Sequence, residues 1–169
     1  MKNLKEAIDK IDKLEYISNA YKVAESDFRE RYNLIKKLYA MIIDVKMESF
    51  LLYVNGKSYY ECVRFNSINS IPVYNGNVGD IGLFYSLVTG VQYDMLARKI
   101  SNNDIIMPQD WLLAEASPGD FIVISFASVD YGKFFFISHD SNENEQTRYL
   151  VANNIEDFID SLFIDNEDE

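Results

Sequence analysis

The chain has one cysteine and one histidine in 169 residues, and no apolar run longer than about five residues. With Cys62 alone no intrachain disulfide can form, so a secreted disulfide scaffold is excluded. Spanning a bilayer as a helix takes roughly 20 apolar residues, so no membrane span is expected. The opening MKNLKEAIDK alternates charged and apolar residues and lacks the continuous apolar stretch of a signal peptide, which makes the cytoplasm the expected location. Cations are scarce in the second part of the chain. Residues 101–169 carry only Lys133 and Arg148 against 15 acids, a net −13, whereas residues 1–100 carry 14 cations against 12 acids, a net +2. The total is −11. Nucleic-acid binding rests on cationic contacts to phosphate, so this balance excludes it as a partner. The same field attracts a basic partner, and it also serves plain solubility.

What is present is a globular composition: 48% hydrophobic residues, with 12 Tyr and 11 Phe suited to a β-rich core. A chain of this length fits one domain and buries roughly two-thirds of its unfolded surface, so it needs no metal or disulfide to hold it. We read residues 1–164 as that domain and residues 165–169 as an acidic tail.

Residues 3–18 place Leu4, Ala7, Ile8, Ile11, Leu14 and Ile17 at helical spacing among charged residues, which predicts an amphipathic helix. A second helix is expected from Ser26 as N-cap, with Phe28, Tyr32, Ile35, Leu38, Tyr39 and Ile42 as its apolar stripe. Residues 44–66 admit two readings. One is a hairpin about Asn55-Gly56 as a type I′ turn; the other ends a helix at Val54 with Asn55-Gly56 as its stop. Residues 67–80 read as loop, Gly82–Val88 as a strand and Tyr93–Ile100 as a short helix. Trp111–Ala114 is a short extended segment, and Ser117–Asp120 a turn. Phe121–Phe126 and Lys133–Ser138 form a central hairpin, because Phe121–Phe126 is apolar on both faces. A polar loop over 141–146, a strand at Arg148–Val151 and a closing helix over 154–163, capped by Asn153, complete the chain. The fold class is therefore α+β: a mostly antiparallel sheet of five or six strands flanked by N-terminal helices and a C-terminal helix.

Chemistry-bearing patterns are absent. No phosphate-binding glycine loop, dinucleotide turn, zinc-protease helix or nucleophile elbow occurs. His139 beside Asp140 reads as a residue packed at a strand edge, and Cys62 as a small core residue. Asp140, Glu143 and Glu145 lack the glycine and spacing of a calcium loop. No catalytic residue, metal site or cofactor is expected.

An ordered set of short motifs runs from residue 82 to residue 163. GLFYSL is followed by a short helix, then Met107-Pro108 before Trp111-Leu112-Leu113-Ala114. The turn Ser117-Pro118-Gly119-Asp120 precedes FIVISF; Tyr131-Gly132-Lys133-Phe134-Phe135-Phe136 leads to His139; and Ala152-Asn153-Asn154-Ile155-Glu156-Asp157-Phe158-Ile159 closes the set. In order and spacing this resembles the SUKH superfamily, which includes the Smi/Knr-type cell-wall-assembly regulators and bacterial toxin-immunity proteins. Its helix-end pattern is matched by Phe50-Leu51-Leu52 and Asn55-Gly56, although Ile43-Asp44 stands in place of Leu-Pro and Met47 in place of Tyr. The resemblance favours a helix over 45–54 and a first strand from Ser58 to Phe65. It implies a non-enzymatic protein-binding module, either an immunity protein that neutralises a cognate toxin, such as a nuclease, or a regulatory or scaffold protein that binds a host protein.

Partner contacts vary within such a family, so the site is read from physics instead. Loops on a rigid sheet carry most interfaces. Asp130, Asp140, Glu143 and Glu145 flank the central hairpin and form a candidate acidic rim for a basic toxin domain, with Tyr131 and Tyr74 as aromatic anchors.

Overall fold

The computed structural model describes residues 11–12, 16–18, 24–87, 94–116, 119–139 and 147–164, without the side chains of 16–18 and 59–62. Helix α1 spans Glu25–Leu38. Phe28, Tyr32 and Ile35 recur at i, i+4 and i+7 and face the core. Glu25 and Asp27 in its first turn, and Lys36 and Lys37 in its last, suit the helix dipole. Its N-cap is Ala24, not Ser26, and no side chain caps it. The helix ends in a Schellman reversal: the Met41 N–H donates to the Lys36 carbonyl at 2.9 Å and the Ala40 N–H to that of Lys37 at 3.4 Å. Ala40 takes the left-handed position, φ +50, where glycine is usual. The reversal turns Ile42 off the expected stripe, and both Leu38 and Ile42 face solvent.

The ambiguous segment is helix α2, Val45–Val54. Asp44 caps it by accepting from the Met47 N–H at 2.8 Å, and Met47, Phe50, Leu51 and Val54 line its buried face. Strand β1 (Tyr16–Ser18) pairs with the start of β2 (Ser58–Ile71), so the helix expected over 3–18 does not reach its end; of that segment only Ile11 and Asp12 are described as helical. Strand β3 (Gly76–Phe84) returns antiparallel to β2 through a single 3-10 turn at Pro72–Tyr74, with Asn75 at φ +53. The loop expected over 67–80 is thus mostly strand. Its polar residues mislead because β2 carries Asn66, Ile68, Asn69 and Ser70 out to solvent. Gly79 is required in β3: a Cβ there would lie 2.4 Å from the Phe65 ring.

Helix α3 (Met95–Ser101) is capped by Asp94, which accepts from the N–H groups of Leu96 and Ala97 at 3.0 and 3.3 Å. Then come β4 (Asp110–Glu115), β5 (Phe121–Ser125), β6 (Phe134–Ile137) and β7 (Arg148–Ala152). Every residue of β5 and β6 is buried. Helix α4 (Ile155–Ser161) is capped by Asn154, one residue beyond the expected Asn153, through the Asp157 N–H at 2.9 Å. Leu162–Ile164 leave the helix as β8 and pair with Val63–Phe65 of β2, which overturns the helical reading of 162–163.

Among the described residues the sheet has eight strands in the order β1-β2-β3-β4-β5-β6-β7, with β8 also on β2, and each of these strand pairs is antiparallel. It curls, since Leu150 of β7 donates its N–H to the Asn69 side chain of β2 at 2.9 Å. Helices α2 and α4 meet over β6. Phe158 stacks on Phe134 at 4.4 Å, and Phe50 meets the same ring edge-on at 6.1 Å.

Candidate functional site at the open end of the central hairpin

The β5–β6 connection, residues 126–133, is tied to itself. Gly132, at φ +75, donates its N–H to the Ser125 carbonyl at 2.8 Å, the Ser125 N–H returns to Lys133 at 2.9 Å, and the Asp130 N–H reaches Ala127 at 3.1 Å. On this braced turn the Tyr131 ring stands edge-on to Phe126 at 5.7 Å. Its hydroxyl donates to Asp44 Oδ2 at 3.1 Å and accepts from the Asp44 N–H at 3.0 Å. Asp44 therefore caps α2 and locks the turn against the α1–α2 reversal at once. Burial is the main cause that holds the Tyr131 phenol above its ordinary pKa; the Asp44 N–H pulls the other way, and the Asp44 carboxylate adds to the rise.

Between the reversal and the turn lies an open depression of about 540 Å³, lined by Ala40, Ile42, Gln109, Phe126, Ser128 and Tyr131 among others. Beside it a second, of about 280 Å³, is lined by Tyr39, Lys99, Ile100, Asn103, Ile106 and Pro108. The Lys99 side chain is buried there. Its ammonium donates to the carbonyls of Met107 at 2.8 Å and Asp110 at 2.6 Å and stands 4.6 Å from the Tyr39 ring centre. Burial lowers its pKa to about 8, against the opposing charge of Asp110. The Asp110 carboxylate in turn holds Arg148 through two bonds of 2.5 and 3.0 Å, and that guanidinium lies 3.9 Å over the Phe135 ring. Lysine, aspartate and arginine thus pin the 102–110 loop to β4 and β7.

The opposite end of the hairpin is closed. Asp120 is buried, and its Oδ1 lies 2.8 Å from His139 Nδ1 and accepts from the His139 backbone N–H at 3.0 Å. The ring covers Gly119, at φ +93, where a Cβ would lie 2.7 Å from it. His139 is a tie between two strand ends, at the strand edge as the sequence indicated. Among the described residues no group of three or more His, Cys, Asp or Glu is placed to hold a metal ion. No described helix is long and apolar enough to cross a membrane.

Of the residues proposed as an interface, Asp130 and Tyr131 share the open end, with Asp130 paired to Lys133 at 3.2 Å. Tyr74 belongs to another region: it packs edge-on to Phe136 at 5.5 Å and bonds Asp80 on the β2–β3 hairpin. Asp140, Glu143 and Glu145 lie outside the described residues. Sequence reasoning missed Ile42, Val45, Val129 and Asp44. The sequence pattern places the first two in helices and marks Asp44 only as a departure from a family pattern, although an aspartate just before a helix start is a capping signal.

A curled antiparallel sheet backed by helices defines an α+β scaffold, and what it does is decided by family and site rather than by the fold alone. The chain belongs to the SMI1/KNR4 family (SUKH-1), which matches residues 33–161. Domains of this family are in general non-enzymatic protein-binding modules. No curated protein and no solved structure matches the chain.

Proposed function

We propose that the chain is an immunity-type protein that binds and neutralises a basic toxin domain without catalysing a reaction. Family membership over residues 33–161 carries this reading. The charge distribution supports it: a nuclease toxin grips phosphate with cations, and an inhibitor whose residues 101–169 carry −13 complements that surface. The proposed acidic residues are Asp130, beside the aromatic anchor Tyr131 on the β5–β6 turn, and Asp140, Glu143 and Glu145 in the sequence between β6 and β7. Tyr74, the second proposed anchor, sits on the β2–β3 hairpin with its ring edge-on to Phe136 of β6.

The test is co-expression with a basic nuclease toxin domain from the same genome. Protection of the producing cell is expected, and a host cell-wall regulator would give none. Rim charges act on association rate, so Asp140, Glu143 and Glu145 changed together to their amides slow stopped-flow association at low salt and flatten its salt dependence. Unchanged kinetics in that triple variant remove the acidic rim.

A further inference from the structure

Ten large apolar side chains stand exposed among the described residues, and five of them, Ile42, Ile100, Met107, Val129 and Tyr131, line the two depressions or adjoin a lining residue in the chain. Ile42, Val45 and Val129 are each more than 80% exposed. Such clustering marks an interaction surface, whereas scattered single residues would not. The depressions are neighbours, separated by Tyr39-Ala40 on one side and Pro108-Gln109 on the other, each pair contributing one residue to each depression. Both walls are braced, by the Schellman reversal and by the internally bonded turn, so an inserted side chain finds a preformed seat.

Charge selects the occupant. Asp44 is exposed at the rim, and its carboxylate accepts from the Met47 N–H and the Tyr131 hydroxyl but forms no ion pair among the described residues. Its charge is held in place and open to a cation. Asp130, the other rim acid, shares its charge with Lys133. A second copy of this chain is a poor occupant, since each copy carries −11.

We propose that this groove seats a partner segment that presents a large apolar side chain with a lysine or arginine within two residues of it, the apolar group entering beside Ile42 and Tyr131 and the cation resting on Asp44. This rests on the protein-binding reading and narrows it to a recognition chemistry.

The experiment selects a displayed library of random peptides on the full chain and on an Ile42→Ser, Val129→Ser double variant, then measures enriched peptides by fluorescence anisotropy. Both substituted side chains are solvent-facing, and thermal melting checks that the variant is folded. Peptides enriched on the wild type are expected to pair an aromatic or aliphatic residue with Lys or Arg, and Ile42→Ser to weaken them by about tenfold or more, as for a central anchor. Asp44→Asn is expected to weaken the basic peptides and leave their Lys→Ala or Arg→Ala counterparts unchanged, a coupling that a merely structural role for Asp44 does not produce. Equal enrichment on the double variant, a preference for acidic or uncharged peptides, no enrichment on the wild type, or self-association abolished by Ile42→Ser would each overturn the proposal. The toxin assay separates the two levels. Protection that survives the double variant removes the groove and leaves the immunity reading, while groove-dependent basic peptides without protection remove the toxin and leave the groove.

Discussion

The two ends of the β5–β6 hairpin are built from the same residue types and do opposite things with them. At the closed end an aspartate, Asp120, is buried against a histidine and a glycine. At the open end an aspartate, Asp44, is bound to a tyrosine in full view of solvent, with Ile42 and Val129 beside it exposed to water. A buried carboxylate has to be satisfied inside the protein, and Asp120 is satisfied by His139. The open end keeps its apolar surface and one charge turned outward, and that is the arrangement of a surface awaiting a partner.

The largest effect is expected in the scaffold that both ends share. Phe134→Ala removes the ring on which Phe50 and Phe158 converge and is expected to cost about 3–5 kcal/mol in denaturant unfolding. A loss below about 1 kcal/mol would mean that the hairpin is not the common support.

Lys99 gives the next effect, through pH. Its folded pKa of about 8 lies below the ordinary 10.5, so between those values the unfolded chain binds the extra proton. Stability therefore rises with pH across that window, by up to roughly 3 kcal/mol over its full width, and is lost again as pH falls through about 8. Burial raises the Tyr32 phenol, helped by Glu48, and this opposes the gain above about pH 10, where the unfolded tyrosine ionises first. The slope should be read between about pH 8 and about pH 9.5 and should vanish in Lys99→Met. A slope unchanged in that variant would show that the floor of the open end is wet.

The two aspartates compare directly. Asp120→Ala strips the His139 backbone and ring of their shared acceptor and is expected to cost about 2–3 kcal/mol, whereas Asp44→Ala loses an exposed cap worth about 1 kcal/mol. Equal costs would erase the distinction between the ends. In the other direction Ala40→Gly relieves a left-handed alanine and should stabilise by roughly 0.5–1 kcal/mol, with an upward shift in melting temperature. Smallest of all, Ile42→Ser and Val129→Ser should stay within about 0.5 kcal/mol of the wild type in stability, because nothing buried is removed.

Much of this architecture could be read from the chain. The run of Phe121–Ser125 and Phe134–Ile137, apolar on both faces, announces a buried central hairpin, and the structure has one. Local propensity was weakest where long-range pairing decides. Residues 47–54 suit a strand, but β2 finds its partner in β3 and leaves them to a helix capped by Asp44. Leu162 and Phe163 continue a perfect helical spacing, yet their backbone is taken up by β2. The open end was half legible. Tyr131 and Asp130 stand out on a turn, but Ile42 and Val45 carry the same hydrophobic letters as core residues and only the structure shows them exposed. Tyr74 shows the converse: an aromatic in a presumed loop that in fact packs against β6.

Strand β2 has a temporal consequence as well as a spatial one. Its fourteen residues pair with β1 and β3 nearby in the chain but also with β8, about a hundred residues further on. Closing so long a loop is entropically slow and is repaid only when the last strand docks. During synthesis Val63–Phe65 therefore stay open on one side until residues 162–164 leave the ribosome, so the exposed edge of β2 is the stretch through which nascent copies would meet one another, and the rate of that final docking sets how long they can.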